Sequence, residues 1–362
     1  MIIYDTLGVK PFINASGTIT TLGGSLMPDE VLEAMCAAGG SFVDLNDLLV
    51  KAGEYLADRI GVPAAFISCG AASGVQLSAA ACLTGPDIAK ARQLPHTQGW
   101  QNEFVISLVD SHTYIHQGIE VCGGKLVRVG SKQAVTSEDL IGGIGEKTAA
   151  VVHFLGKQSK EQLAEVIAGA EKKGVPVMVD AAAQLPPRSN LTELVEMGAS
   201  LVTFSGGKGL CGPQNSGLVI GKEDCVEAVR INASPHSAIG RGMKVGKEEI
   251  LGLIAAVDLF LSRSDDEDCQ RWHGQARVVV DAVKNITNAY VMTEGQDAAP
   301  EIAPRAYIDL PDEQRDAVIH ALKEGEPSIV VRRNPRGILI DPMTMQMGEE
   351  AVVAEKLLEV LT

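Results

Sequence analysis

The 362-residue chain carries 46 Asp and Glu against 31 Lys and Arg, a formal charge of −15. That balance excludes nucleic-acid binding, which rests on Lys and Arg neutralising phosphates. Hydrophobic residues are 46% of the chain but aromatics only 4%, which suits an aliphatic α/β core, and the length predicts two lobes.

Asp5 and Lys10 interrupt any apolar leader, so no signal peptide is read. No run approaches membrane-spanning length. The seven cysteines are odd in number and lack zinc-ligand spacing. No metal site is expected, and reduced thiols in the cytoplasm are.

In chain order, residues 1–30 carry an extended segment and a Gly/Thr/Ser-rich arm, Asn14 to Ser25. Helices are predicted over 29–38 and 46–60. The second turns Leu48, Leu49, Ala52, Tyr55, Leu56 and Ile60 to one side and stops at Gly61. Ala65–Ser68 reads as a strand. The small-residue turn Cys69 to Gly74 leads into a helix from Val75 to Leu83. Backbone N–H groups and the dipole at such a helix start favour an anion. No Gly-Lys-Ser/Thr follows, so this is not a P-loop.

Residues 85–103 read as a long polar loop. The strand Phe104–Val109 closes on Asp110-Ser111-His112, with His116 one helical turn on. Further strands are predicted at Leu126–Val129 and Ala149–Phe154, then a charged helix from Lys160 to Lys172. The alternation of strand and helix predicts a mostly parallel sheet.

Two segments carry the chemistry. Gly174 to Asp180 is a buried strand ending in a carboxylate, which a parallel sheet aims into its ligand crevice. Leu201–Phe204 is another strand, followed by Ser205-Gly206-Gly207-Lys208 and then the apolar run Leu218–Ile220. A lysine between buried strands is unfavourable without a partner or a task. Desolvation makes its neutral amine available for a Schiff base. A strand ending in Asp, a helix from Asn190 to Met197, then a strand leading to Lys is the wiring of a pyridoxal-phosphate enzyme. The Asp keeps the pyridine nitrogen protonated, the Lys carries the cofactor, and Ser205 is a phosphate donor.

Ala233 to Gly246 is Gly-rich and basic, with Arg241, Lys244 and Lys247. Helices follow at 248–263 and 270–285. Strands at Tyr290–Thr293, Ala303–Leu310, Ser328–Arg332 and Gly337–Ile340, with helices at 314–323 and 349–361, predict an α+β lobe with an antiparallel sheet. The expected domains are an arm and helix over 1–45, a large cofactor-binding α/β domain over 46–245 and a small domain over 246–362.

Phe12 to Thr18, Cys69 to Gly74, Val179 to Ala182, Ser205 to Lys208 with Gly212-Pro213-Gln214, and Ile239 to Lys247 run through the chain in order. With these segments the sequence resembles the selenocysteine synthase-like group of fold-type-I pyridoxal-phosphate enzymes, and within it the bacterial D-glucosaminate-6-phosphate ammonia-lyases. The resemblance implies a seven-stranded sheet in an α/β/α sandwich. It implies that Ala71, Ala72, Ser73, Ala182 and Ser205 join Asp180 and Lys208 around pyridoxal 5'-phosphate, and that His112 stacks on its ring. It implies a substrate site with Asn14, Ser16 and Thr18 from the arm, Arg332 as carboxylate clamp, and Arg241 reaching over from a second subunit of a homodimer or of a higher homo-oligomer built from dimers. The acidic charge sets the chain apart from true selenocysteine synthase, which must hold a tRNA. Related aminotransferases place Gln three residues after the Asp, whereas here Ala183 stands there and Gln184 follows.

The implied reaction is an ammonia-lyase elimination on a hydroxy or sugar amino acid such as D-glucosaminate 6-phosphate, giving a 2-oxo acid. Lys208, once displaced, would take the Cα proton. Racemisation, transamination and β-replacement share that first step, so the residues alone leave them open.

Overall fold

The computed structural model describes residues 3–293, 299–300 and 302–362. Its strands are β1 Ile13–Ala15, β2 Ala64–Ser68, β3 Glu103–Ser107, β4 Lys125–Val129, β5 Thr148–Phe154, β6 Val177–Asp180, β7 Leu201–Ser205, β8 Gly217–Gly221, β9 Ala289–Met292, β10 Arg305–Asp309, β11 Ile329–Asn334 and β12 Gly337–Ile340. Two compact units result. One is Met27–Ser262; the other joins Met1–Leu26 to Arg263–Thr362.

The larger unit holds a seven-stranded sheet in the order β2-β8-β7-β6-β5-β3-β4. Strands β3 to β7 pair in parallel, and β8 runs antiparallel to both β7 and β2. Central strand β5 reads Thr-Ala-Ala-Val-Val-His-Phe and is buried at every position. Continuous burial means both faces are covered, the usual state of a parallel sheet built from strand–helix crossovers. The helix Ala71–Thr84 packs along β7, β8 and β6, and the helices Lys160–Glu171 and Asn190–Glu196 pack on β6 and β7.

The second unit is a five-stranded sheet ordered β1-β11-β12-β10-β9, antiparallel except where β1 lies parallel to β11. Its core is a separate aliphatic cluster that includes Ile13, Ala15, Val279, Ile308, Ile329 and Leu357.

The architecture agrees with the predicted α/β sheet and α+β lobe, but the unit boundaries differ from those expected at 45/46 and 245/246. The helix Asp29–Gly39 packs against the helix Lys247–Ser262, and Lys247 Nζ donates to the Ala38 carbonyl at 2.7 Å. Both helices therefore belong to the larger unit. The arm goes the other way, because Ile13, Asn14 and Ala15 pair with Ile329, Val330 and Val331. Two local expectations also change. The 85–103 loop contains a helix, Ile88–Gln93, whose first N–H groups are capped by Asp87. Tyr55 is exposed rather than buried, because its hydroxyl donates to Asp258 Oδ2 at 2.8 Å and needs the wet edge.

Candidate active site

At one edge of the large sheet three strand ends align. Ser68 of β2 pairs with Gly217 of β8, which pairs with Ser205 of β7. Gly217 lies where only bare backbone fits: a Cβ there would stand 2.6 Å from Gly70 C and 2.8 Å from Ala71 N. The absence of that carbon lets β8 touch the start of the helix Ala71–Thr84. No side chain caps this helix at Gly70, so the leading N–H groups of Ala71, Ala72 and Ser73 are left without an intrahelical partner, the arrangement that favours an anion. Ser73 Oγ donates to the Gly70 carbonyl at 2.7 Å and fixes the turn.

Past Ser205 the chain enters the glycine pair. Gly206 N donates to Ser216 O at 2.9 Å, and Gly206 O accepts from Gly212 N at 2.8 Å. A Cβ on Gly207 would lie 2.4 Å from Gln214 Cα, so this turn is pressed flat and delivers Lys208 to the sheet edge. Burial pushes the Lys208 amine below the ordinary lysine range, and the nearby Asp180 charge only partly restores it.

Asp180 ends β6, and its Oδ1 accepts the Ala182 N–H at 2.9 Å. Burial raises its carboxyl above the usual range; the Ala182 N–H and the Lys208 and His112 charges pull it down, while Asp110 pushes it up. Ser205 N donates to Ala182 O at 3.3 Å, which ties the two strand ends together. Lys208, Asp180, Ala182 and Ser205 thus converge, with His112 and Asp110 inside the same electrostatic field.

His112 opens the helix Thr113–Val121. Its Nδ1 lies 2.5 Å from Asp110 Oδ1, and its ring meets Tyr114 edge-on at 5.5 Å. The Tyr114 phenol is pushed up to about 12, first by burial and then by the Asp180 and Asp110 charges. Neither Asp110 nor Tyr114 was assigned from the sequence. The signal was the spacing itself: Asp, His and Tyr at alternate positions where a strand meets a helix bring three polar groups to one sheet edge.

The remaining candidates divide between the two units. Asn14, Ser16, Thr18 and Arg332 are in the second unit, where the β1–β11 register brings the arm beside Arg332. The Asn14 side chain is engaged within the arm, donating to Gly17 O at 3.1 Å and accepting from Ser16 N at 3.0 Å. Arg241 is exposed in the larger unit, on the loop that closes through the Ala233–Gly240 bridge. Gln184 serves the scaffold: its Nε2 donates to Leu155 O at 3.0 Å.

A family model described as L-seryl-tRNA selenium transferase matches residues 113–272. The D-glucosaminate-6-phosphate ammonia lyase of Salmonella typhimurium is 30% identical, over 99% of this chain and 97% of that protein. The chain belongs to the selenocysteine synthase-like family of fold-type-I pyridoxal-phosphate enzymes. A 5'-C-glycyluridine monooxygenase-decarboxylase from a Streptomyces species is 31% identical over 97% of this chain and 90% of that protein. A solved D-glucosaminate-6-phosphate ammonia-lyase superposes with a TM-score of 0.83 at 28% identity, covering 100% of this chain and 98% of that one. This member of the family is an enzyme of the same fold. The two relatives named above carry different reaction names, so family membership alone does not fix the reaction.

Proposed function

We propose that the protein is a cytoplasmic pyridoxal-phosphate-dependent ammonia-lyase acting on a hydroxy or sugar amino acid, with D-glucosaminate 6-phosphate as the model substrate. The observation that carries this reading is the desolvated Lys208 facing Asp180 beside an uncapped helix start, in a chain matching an ammonia lyase along its whole length. The residues fit the cofactor. A Cβ at Gly217 would fill the cradle that Ala71, Ala72 and Ser73 offer to its phosphate. Asp180, with a single N–H donor on Oδ1, has room for a protonated ring nitrogen. When bound, pyridoxal phosphate supplies a carbonyl that takes the substrate amine and a ring that accepts the electrons left at Cα.

This chain's residues do the rest. Lys208, its proton affinity lowered by burial, holds the cofactor; once displaced, its amine takes the Cα proton. Asp180 holds the ring-nitrogen proton. Ser205 and the helix start bind the phosphate, and His112 covers the ring. Arg332 takes the substrate carboxylate, with Ser16 and Thr18 at its side. Loss of the β-hydroxyl as water, followed by water addition to the freed enamine, releases ammonia and a 2-oxo acid. The cytoplasmic placement is supported by the cysteines, none of which is in a disulfide.

The test is a panel of D- and L-hydroxy and sugar amino acids, with and without phosphate. Ammonia and 2-oxo acid should appear in equal amounts. Proton exchange at Cα without ammonia release would replace this reading with racemisation.

The reading includes a homodimer in which Arg241 reaches the partner's site. Arg241 has no side-chain partner among the described residues, and the same unit exposes Phe42 completely and Val43 by half. Mixing Lys208→Ala with Arg241→Ala subunits should restore activity, because hybrids regain one intact site. No rescue after proven exchange removes the crossing arginine.

A further inference from the structure

The segment from Asp110 to His116 contains more order than ring stacking needs. Asp110 is almost wholly buried, its side chain 2% exposed, while the His112 side chain is 55% exposed. Both carboxylate oxygens turn to the same residue: Oδ2 accepts the His112 backbone N–H at 3.0 Å, and Oδ1 lies 2.5 Å from His112 Nδ1. The backbone bond forms a small turn at the helix entry, a structural role common for Asp. The ring bond has no such role, because no side chain caps the helix at His112. His116 does not compete for the acid. Its Nε2 stays 4.0 Å from Oδ2 and is buried without a partner, too far for a hydrogen bond.

A carboxylate accepts only, so the proton between Asp110 and His112 sits on Nδ1. Nε2 is then left as the acceptor. A histidine paired this way has its ring plane and tautomer fixed by the acid behind it. Tyr114, edge-on to the imidazole, closes a second side of the ring.

We propose that Asp110 is a positioning residue that locks His112 as its Nδ1–H tautomer in one orientation, so that the imidazole presents a fixed face and an unprotonated Nε2 to the reaction centre. The role of His112 over the cofactor ring rests on the lyase reading above; the Asp110–His112 lock does not. With a free Nε2, His112 receives a proton from an incoming group or, once protonated and paired with Asp110, gives one to a departing hydroxyl. No further co-reactant is needed, since the proton returns through solvent.

The lock is read directly on full-length protein labelled with 15N-histidine, with the His112 signals assigned by their loss in His112→Gln. At a pH about 2 units above the ordinary histidine value of about 6.5, proton-coupled ring nitrogens report the tautomer. An Nδ1–H tautomer at His112 in the unmodified protein, lost in Asp110→Ala, is the expected result. An Nε2–H tautomer overturns the proposal, and this holds even if Asp110→Ala does not fold.

Turnover supplies the second arm. Asp110→Ala should lower kcat about 10- to 100-fold with little change in KM, the range for residues that orient a functional histidine. Added to His112→Gln it should lower kcat no further, whereas losses that multiply would show that Asp110 acts independently of His112. If no substrate in the panel releases ammonia, the lyase reading fails while the tautomer result stands.

Discussion

Two cations, one buried and one half-buried, divide the labour of the molecule. In the second unit Arg305 is fully buried. Its Nε donates to Asp341 Oδ2 at 2.7 Å, and its other nitrogens donate to the carbonyls of Pro300, Ala303 and Ala299 at 2.9 to 3.1 Å. Asp341 in turn accepts Met343 N at 3.0 Å. This is a closed pair, with charge and hydrogen bonds matched on all sides. Lys208 in the larger unit faces a carboxylate too, yet its amine has no hydrogen-bond partner among the described residues, and burial lowers its proton affinity. A satisfied cation stays charged and holds a scaffold. An unsatisfied one holds its proton less tightly, which favours the nucleophilic amine. The difference lies in the number of acceptors around the cation, since the more deeply buried Arg305 is the satisfied one and the half-buried Lys208 is not.

Substitutions sharpen that contrast. The largest effect is expected from Lys208→Ala, which should lower turnover by about 10⁵-fold or more while leaving the fold intact, as for nucleophiles that act as part of a unit. Borohydride-reducible cofactor at another lysine in this variant would contradict the assignment. Asp180→Ala should follow, with turnover down about 10³-fold, the upper range for loss of one electrostatic contact at a reacting centre, and with unchanged circular dichroism. Asp341→Ala inverts the pattern. It strands a buried arginine and should destabilise the second unit by about 3–5 kcal/mol, measured by denaturant unfolding. Gly217→Ala should be the smallest, at about 1–3 kcal/mol of overpacking, with a lower melting temperature and weaker cofactor retention, because the new methyl presses on Ala71 N.

The sequence made one of these cations visible and hid the other. Lys208 and Asp180 stand where apolar runs end, so their place at a sheet edge follows from the pattern of the chain alone. Arg305 also begins an apolar run, and the carbonyls that hold it lie just before it in the chain, but Asp341, its counter-charge, lies in another segment. No local pattern separates it from an exposed arginine at a strand end. Asp110 was in plain view beside His112, yet only the fold shows that both its oxygens turn to that residue. The unit boundaries were missed because β1 spans only Ile13–Ala15 and its partner is Ile329–Val331. A strand this short gives almost no periodic signal, and its pairing is set by distant packing.

That pairing sets an order of assembly. Every strand of the large sheet comes from within 27–262, so that unit has all its contacts available while later residues are still being added. The first strand made cannot be placed until β11 emerges, and Thr344, whose hydroxyl donates to Asn14 O at 2.7 Å, arrives later still. Closing so long a loop is slow compared with local pairing. Pulsed hydrogen exchange during refolding should therefore find β5 and β6 protected early and the amides of Ile13 to Ala15 among the last.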